Sequence, residues 1–187
     1  EIPLRLVGSE MCIRDRFGDY NPGGRLAVTF PKSVGQIPFA FPFKPGSDES
    51  SETSVYGALY PFGHGLSYTT FQYSDLAISP SKQGVQGNIS ISCTIKNIGQ
   101  REGDEVVQLY LRDEVSSVTT YTQVLRGFER ITLKPEASHT VHFELTPQEL
   151  GIWDKQMDFT VEPGMFKVMI GSSSKDIRLK GEFEIAQ

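Results

Sequence analysis

Hydrophobic and polar residues alternate with a period of two through most of the chain after residue 70. The strictest run is Ile89, Ile91, Cys93 and Ile95, where every second residue is apolar. Such alternation places one face of a strand in a core and the other in solvent. Further runs occupy 71–78, 106–111, 124–131, 141–145, 166–170 and 177–185. About seven or eight short strands over roughly 115 residues predict an all-β, immunoglobulin-like β-sandwich.

Single residues predict where this alternation is interrupted. Asp75 should cause an irregularity in the first strand, and Gly181 should form a bulge in the last. Pro147 to Leu150 should form one helical turn capped by Thr146. Near the start of the chain, alternating apolar residues at 26–30 predict a short strand that ends at Pro31.

One stretch before the sandwich has a different character. Residues Leu59 to Phe71, which we call the aromatic turn, read LYPFGHGLSYTTF. Gly63 and Gly65 permit backbone angles that side chains forbid, and Pro61 fixes its own φ. The stretch therefore predicts a rigid turn that leads from one structural unit into the next.

The aromatic turn and its neighbour Tyr56 supply the candidate binding residues. Tyr56, Tyr60, Phe62 and Tyr68 could stack on sugar rings, because an aromatic face complements the apolar face of a pyranose. Alternatively they cement a contact between domains, which is the interpretation we favour. His64 is interpreted as a turn histidine bonded to nearby backbone. No second His or Cys stands at ligand spacing, so no metal site is expected.

Several motifs in order give the chain a family resemblance. Together with the aromatic turn, they resemble the C-terminal part of glycoside hydrolase family 3, the β-glucosidases and β-xylosidases. The likeness is closest to the periplasmic bacterial β-glucosidase type and covers about residues 17–187. The motifs are Gly18 to Leu26, Thr29 to Pro31, Glu102–Gly103, Val106 to Tyr110, Leu125 to Glu129 and Glu162 to Gly164.

The resemblance implies a division of the chain into four parts. Residues 1–16 do not fit the family pattern and look like a translated sequencing-adaptor remnant, so they are expected to be non-native. Residues 17–35 would be a remnant of the family's α/β sandwich domain. Residues 36–58 would be an interdomain linker that contacts its neighbours through Phe39, Phe41 and Phe43. Residues 59–187 would be the fibronectin type III-like domain.

The resemblance also implies a function for the parent protein, with this chain as its C-terminal fragment. Family members hydrolyse β-linked glucosides or xylosides by a retaining mechanism with two carboxylates and no cofactor. The nucleophile Asp and the acid/base Glu lie in upstream catalytic domains, so the chain carries no catalytic residue. Its expected partners are those domains, and alone it should be inactive. The implied location is periplasmic or secreted.

The acidic residues of the chain fit this absence of catalysis. Asp48, Glu49 and Glu52 lie in a polar loop, and a second cluster at 102–105 lies in an expected hairpin turn. Nothing in either stretch would raise the pKa of one carboxyl and lower that of another, so both clusters are interpreted as solvated surface. His139 and His142 are expected to face solvent.

Composition excludes some classes of function. The net charge of −5, with both signs interspersed, argues against a nucleic-acid surface. No apolar run is long enough to span a membrane, so no membrane partner is expected. Cys93 follows the apolar phase of its strand and is interpreted as a buried filler. Trp153, the only tryptophan, is assigned to the core or to an interface.

Two other hypotheses remain open at this point. The chain could be a stand-alone immunoglobulin-like module that binds carbohydrate or protein. Such a module should bury its apolar aromatic surface, whereas a domain separated from its partners should expose it. The chain could also be a pure spacer, in which case Phe62→Ala would change nothing.

Overall fold

The computed structural model of the protein describes residues 13–47 and 57–187, and within them the chain forms ten β-strands. They are accompanied by a 3₁₀ turn at Val34–Gln36, a helical turn at Pro147–Leu150 and helical backbone at 13–17. Of the helices in these ranges, none has the length and apolarity needed for a membrane crossing. The strands are β1 (Phe71–Ser79), β2 (Lys82–Gly84), β3 (Ile89–Asn97), β4 (Gly103–Asp113), β5 (Val124–Leu133), β6 (Ser138–Leu145), β7 (Ile152–Trp153), β8 (Phe159–Thr160), β9 (Gly164–Gly171) and β10 (Ile177–Ala186).

The strands form two main sheets and one small ribbon. The first sheet has three strands in the order β1-β3-β6, and the second has five in the order β2-β10-β9-β4-β5. Strands β7 and β8 form a separate two-stranded ribbon. All pairings are antiparallel except that of β2 with β10. The predicted all-β sandwich is therefore confirmed, with β2 and the ribbon as additions that alternation does not reveal.

The core lies between the two sheets. Ile89, Ile91, Cys93 and Ile95 of β3 are fully buried, as their alternation predicts. On the opposite sheet Phe166 stacks on Phe183 with ring centroids 5.4 Å apart. Each buried Ile or Phe side chain contributes roughly 1.5–3 kcal/mol to the free energy of unfolding by leaving water. Burial raises the pKa of the Cys93 thiol to about 11, consistent with its interpretation as an inert filler.

The structure confirms one of the two predicted strand irregularities. Asp75 has a φ of +53°, and the register of β1 against β3 shifts between Ser74 and Ala77. The bulge predicted at Gly181 is wrong, because Gly181 pairs in regular register with Val168. A Cβ on Gly181 would lie 2.6 Å from Cδ1 of Ile78, so the glycine instead allows β1 to pack closely on β10.

Other local predictions have mixed outcomes. The turn at Pro147–Leu150 forms with Thr146 as its cap, and Glu149 closes the capping box. His139 and His142 face solvent as expected. The strand predicted at 26–30 does not form, although Phe30 makes an isolated bridge to Tyr60. Of the two assignments for Trp153, the core or an interface, the core is excluded because the residue is 60% exposed on β7.

Candidate functional site

The aromatic turn pairs through its backbone with the segment that precedes the linker. This pairing involves only Leu26 and Phe30, and the backbone bends at residues 27–28 between them, so no regular strand forms. Two stretches assigned to different units thus share one hydrogen-bonded layer. Its bonds run from Leu26 N–H to the His64 carbonyl (2.9 Å), Gly63 N–H to the Leu26 carbonyl (2.8 Å), Phe30 N–H to the Tyr60 carbonyl (2.9 Å) and Leu59 N–H to the Phe30 carbonyl (2.8 Å).

Gly63 and Gly65 are required by close contacts that a side chain would block. Gly63 has a φ of +81°, and a Cβ there would lie 2.1 Å from Oε1 of Gln108. A Cβ on Gly65 would lie 2.4 Å from the carbonyl oxygen of Gly24. Gln108 also donates to the Gly63 carbonyl over 3.2 Å. The two glycines therefore let the aromatic turn lie directly on β4 and on the preceding segment.

Stacked aromatic rings attach residues 39–43 of the predicted linker to the sandwich. Phe41 stacks on Phe62 with ring centroids 4.5 Å apart and meets Tyr110 of β4 edge-on at 5.7 Å. Phe43 is buried and lies 5.3 Å from the ring of Phe39. The expected contacts with neighbouring parts form through Phe41 and Phe43, whose carbonyl accepts from the Thr122 N–H, whereas Phe39 packs on Phe43. The aromatic side chains of the linker and turn thereby cover the outer face of β4.

A buried ion pair joins the segment at residues 17–35 to β4 of the sandwich. Arg25 Nη2 lies 3.0 Å from Glu105 Oε1, and the two side chains are only 9% and 5% exposed. Burial raises the pKa of Glu105, although the charge and hydrogen bond of Arg25 act in the opposite direction. Burial, and next the charge of Glu105, also raise the pKa of Tyr73. The pair is therefore a structural contact in a low-dielectric site.

Asp104 forms a second ion pair beside the first, in which the Asp104 side chain is 12% exposed and that of Arg130 is 56% exposed. Its Oδ2 is paired with Arg130, and its Oδ1 accepts a hydrogen bond from Thr132 Oγ1 over 2.6 Å. Burial would raise the pKa of Asp104, but the hydrogen bonds from Thr132 and Arg130 outweigh it and hold the pKa below its usual value.

The prediction that the carboxylates at 102–105 are all exposed to solvent is therefore wrong in part. Glu102 is exposed, whereas Asp104 and Glu105 are buried because the segment before the linker covers the start of β4. Opposite pKa shifts in two neighbouring carboxyls are typical of an acid–base pair. Here each carboxylate is engaged by an arginine, so both serve the fold rather than a reaction.

Polar contacts of Asn21 complete this connection. Its Nδ2 donates to the carbonyl of Glu102 over 3.1 Å, and its Oδ1 accepts from the backbone N–H of Tyr68 over 2.8 Å. A Cβ on Gly103 would lie 2.3 Å from that Nδ2, which shows how closely the segments meet. Asn21 thus ties together the aromatic turn and the start of β4.

Tyr60 and His64, two of the predicted binding residues, lie together on the surface. Their rings stack with centroids 5.1 Å apart, and Phe30 meets Tyr60 edge-on at 6.2 Å. Val28, Phe30, Leu59 and Tyr60 each expose 43–59% of their area. We call these four residues, with His64, the apolar face.

The other predicted binding residues are dispersed. Phe62 lies beneath the turn against Phe41, out of reach of a ligand on the apolar face. Tyr68 donates from its hydroxyl to the Asp15 carbonyl over 2.6 Å, and the Arg101 guanidinium lies 5.7 Å from its ring centroid. Tyr56 lies outside the described residues. No group of three or more His, Cys, Asp or Glu in the described ranges is arranged to hold a metal ion.

Comparison with known protein families places the chain in context. Residues 15–68 match the model of the glycosyl hydrolase family 3 C-terminal domain, and residues 105–174 match the fibronectin type III-like domain. A periplasmic beta-glucosidase from Salmonella typhimurium is 42% identical over 181 residues, which are 90% of this chain and 23% of that protein. A beta-xylosidase from Formosa agariphila is 44% identical over 168 residues, 88% of this chain and 23% of that protein.

Solved structures agree with these sequence matches. A β-glucosidase from Erythrobacter marinus superposes with a TM-score of 0.90 at 36% identity, covering 96% of this chain and 24% of that one. A beta-glucosidase from Listeria innocua, solved with glucose, gives a TM-score of 0.86 at 30% identity over 94% of this chain and 26% of that one. The chain thus spans about a quarter of the length of the proteins it matches.

Proposed function

Given that this chain belongs to glycoside hydrolase family 3, of which it carries the C-terminal and fibronectin type III-like domains, we propose that it is the structural C-terminal part of a β-glucosidase or β-xylosidase. The parent protein would cleave β-linked glucosides or xylosides. The sandwich, the linker and the aromatic turn would form a platform on which the catalytic domains of the same polypeptide rest.

The exposed apolar face is the observation that carries this proposal. Phe30 forms backbone hydrogen bonds with Leu59 and Tyr60. The side chains of all three residues are nevertheless exposed to solvent. An exposed apolar surface of this kind marks a contact with another protein surface. A stand-alone module would bury it, so the exposure favours a domain that packs on further domains.

The chemistry would come from outside this chain. Retaining glycosidases hold two carboxyl groups about 5–5.5 Å apart, one as nucleophile and one as acid/base. Asp104 and Glu105 are committed to ion pairs with arginines, and neither is free to act on a glycosidic bond. The chain alone is therefore expected to be inactive. The periplasmic beta-glucosidase among its relatives supports a periplasmic or secreted location.

A chimera of the Salmonella enzyme, with its matching region replaced by this chain, tests the proposal. The chimera should hydrolyse p-nitrophenyl β-glucoside or β-xyloside, and the 187-residue chain alone should not. Phe30→Asp in the chimera should lower both kcat/KM and Tm, because the charge would be buried against a catalytic domain. Met157→Asp is the matched control, since Met157 is exposed in the turn between β7 and β8, away from the apolar face.

Two results would contradict the proposal. One is hydrolysis by the isolated chain at a rate comparable with that of the chimera. The other is a Phe30→Asp chimera with the same activity and Tm as the Met157→Asp chimera, since the apolar face would then contact nothing.

A further inference from the structure

A concave site lies on the sandwich itself, between the loop that follows β4 and the β7–β8 ribbon. It encloses about 260 Å³, just below the range of roughly 300–1,000 Å³ typical of sites for drug-sized ligands. That size suits a single small ring. Its lining includes Asp113, Thr119, Tyr121, Arg126, Glu149 and Trp153. We call it the Trp153 groove.

Trp153 is an exposed aromatic ring held in a fixed position. Its indole meets the ring of Phe159 at 60°, with centroids 5.5 Å apart. Phe159 in turn fits closely over Gly151, where a Cβ would lie 2.4 Å from its Cζ. Because the ribbon holds both aromatic residues, the indole is presented to the groove without a cost of ordering it on binding.

The polar side of the groove carries both signs of charge. Arg126 is half-buried, and its Nε is shielded from water with no acceptor among the described residues. Burial lowers the pKa of Arg126, and the charge of Glu149 acts in the opposite direction. Asp113, also half-buried, accepts one hydrogen bond from the Val115 N–H over 3.2 Å. The polar side of the groove thus offers a guanidinium as donor and two carboxylates as acceptors.

We infer that the Trp153 groove binds one ring of a neutral sugar. The apolar face of a pyranose would lie on the indole. Its hydroxyl groups, which both donate and accept, would donate to Asp113 or Glu149 and accept from Arg126.

Other ligand classes fit the same groove less well. An anion would meet two carboxylates, and a wholly apolar ligand would cover the charged groups of Arg126, Asp113 and Glu149 without pairing them. The inference does not rest on the proposed function, since the groove shares no residue with the apolar face.

The intrinsic fluorescence of the chain reports on this groove, because Trp153 is the only tryptophan. Titration of the 187-residue chain with glucose, xylose or cellobiose should give a saturable change in emission. Arg126→Gln should raise the Kd about 10-fold, because a charge-assisted hydrogen bond is lost. Tyr121→Ala, a change at the exposed rim, should weaken binding without affecting the fold. Phe128→Ala, on the same strand as Arg126 but outside the groove lining, is the control and should leave Kd unchanged.

Calorimetry of two further variants separates stacking from other effects. Trp153→Phe keeps an aromatic face and should retain binding, whereas Trp153→Ala should abolish it. A strictly linear fluorescence response to every sugar would overturn the inference. So would equal affinity of Trp153→Ala and the unchanged chain, or tighter binding of glucuronate than of glucose, which would indicate an anion site. Circular dichroism of each variant verifies that it is folded.

Discussion

Arg25→Met removes the cation from the buried ion pair while keeping much of the side-chain volume. Glu105 would then be a carboxylate with almost no access to water and no paired cation. Breaking a buried pair by removing one member costs about 3–5 kcal/mol of the free energy of unfolding. With a urea m-value of about 2 kcal/mol/M, the midpoint of unfolding should fall by roughly 1.5–2.5 M.

The matched control is Lys82→Met, which removes one member of an exposed ion pair. Lys82 and Glu184 are 61% and 43% exposed, and such pairs contribute about 0–1 kcal/mol. The double variant Arg25→Met/Glu105→Leu should recover most of the lost stability, because it leaves no unpaired charge. Urea unfolding of the unchanged chain, Arg25→Met, Glu105→Leu and the double variant gives the coupling free energy between the two sites.

The loss of stability in Arg25→Met should depend on pH in a definite direction. Burial already raises the pKa of Glu105 above its value in the unfolded chain, and loss of Arg25 would raise it further. A carboxyl with a raised pKa stabilises the fold below its unfolded pKa and loses that contribution as pH rises through its folded pKa. The deficit of Arg25→Met should therefore shrink as pH falls from 7 to 4. The reasoning is refuted if Arg25→Met behaves like Lys82→Met at pH 7, or if its deficit grows at low pH.

Two further predictions concern the aromatic turn and the core. Gly63→Ala should destabilise the chain by more than about 1 kcal/mol in urea unfolding, because its positive φ and its contact with Gln108 both exclude a Cβ. Gly24→Ala, where a Cβ would meet no atom within 4 Å, is its control, and an equal loss in both would contradict the argument. In a Cys12→Ser variant, Cys93 should react with Ellman's reagent only on unfolding, since it is fully buried and burial raises its pKa to about 11. Rapid reaction of the folded protein would refute this.

The sandwich could be predicted from the sequence because a strand buried on one face has a period-two pattern of its own. The run from Ile89 to Ile95 specifies both the strand and its inward face, and all four apolar positions are fully buried. Cys93 could be assigned to the core for the same reason. The ribbon of β7 and β8 escaped prediction because two residues per strand are too few to show a period.

The contacts around β4 could not be predicted, since they depend on residues distant in sequence. Charges at Asp104 and Glu105 indicate an exposed turn when only their neighbours are considered. Glu105 is buried because Arg25, 80 positions earlier, lies against it. No local pattern identifies that arginine as a partner. Gly181 likewise indicated a bulge, whereas its role is to admit Ile78 from the opposite sheet.

The buried pair of Arg25 and Glu105 has a consequence for how such a sandwich can be inherited. A recombination event that moved residues 59–187 alone into another gene would transfer the carboxylate without its cation, and β4 without the Phe41 ring that meets Tyr110. The transferred piece would have a lower free energy of unfolding until its new host supplied a cation and an aromatic cover. The part of the chain that can move between proteins therefore extends back at least to Asn21, well before the first strand. The boundary of the transferable unit is therefore set by the ion pair that covers the start of β4, and not by the first and last strands of the sheets.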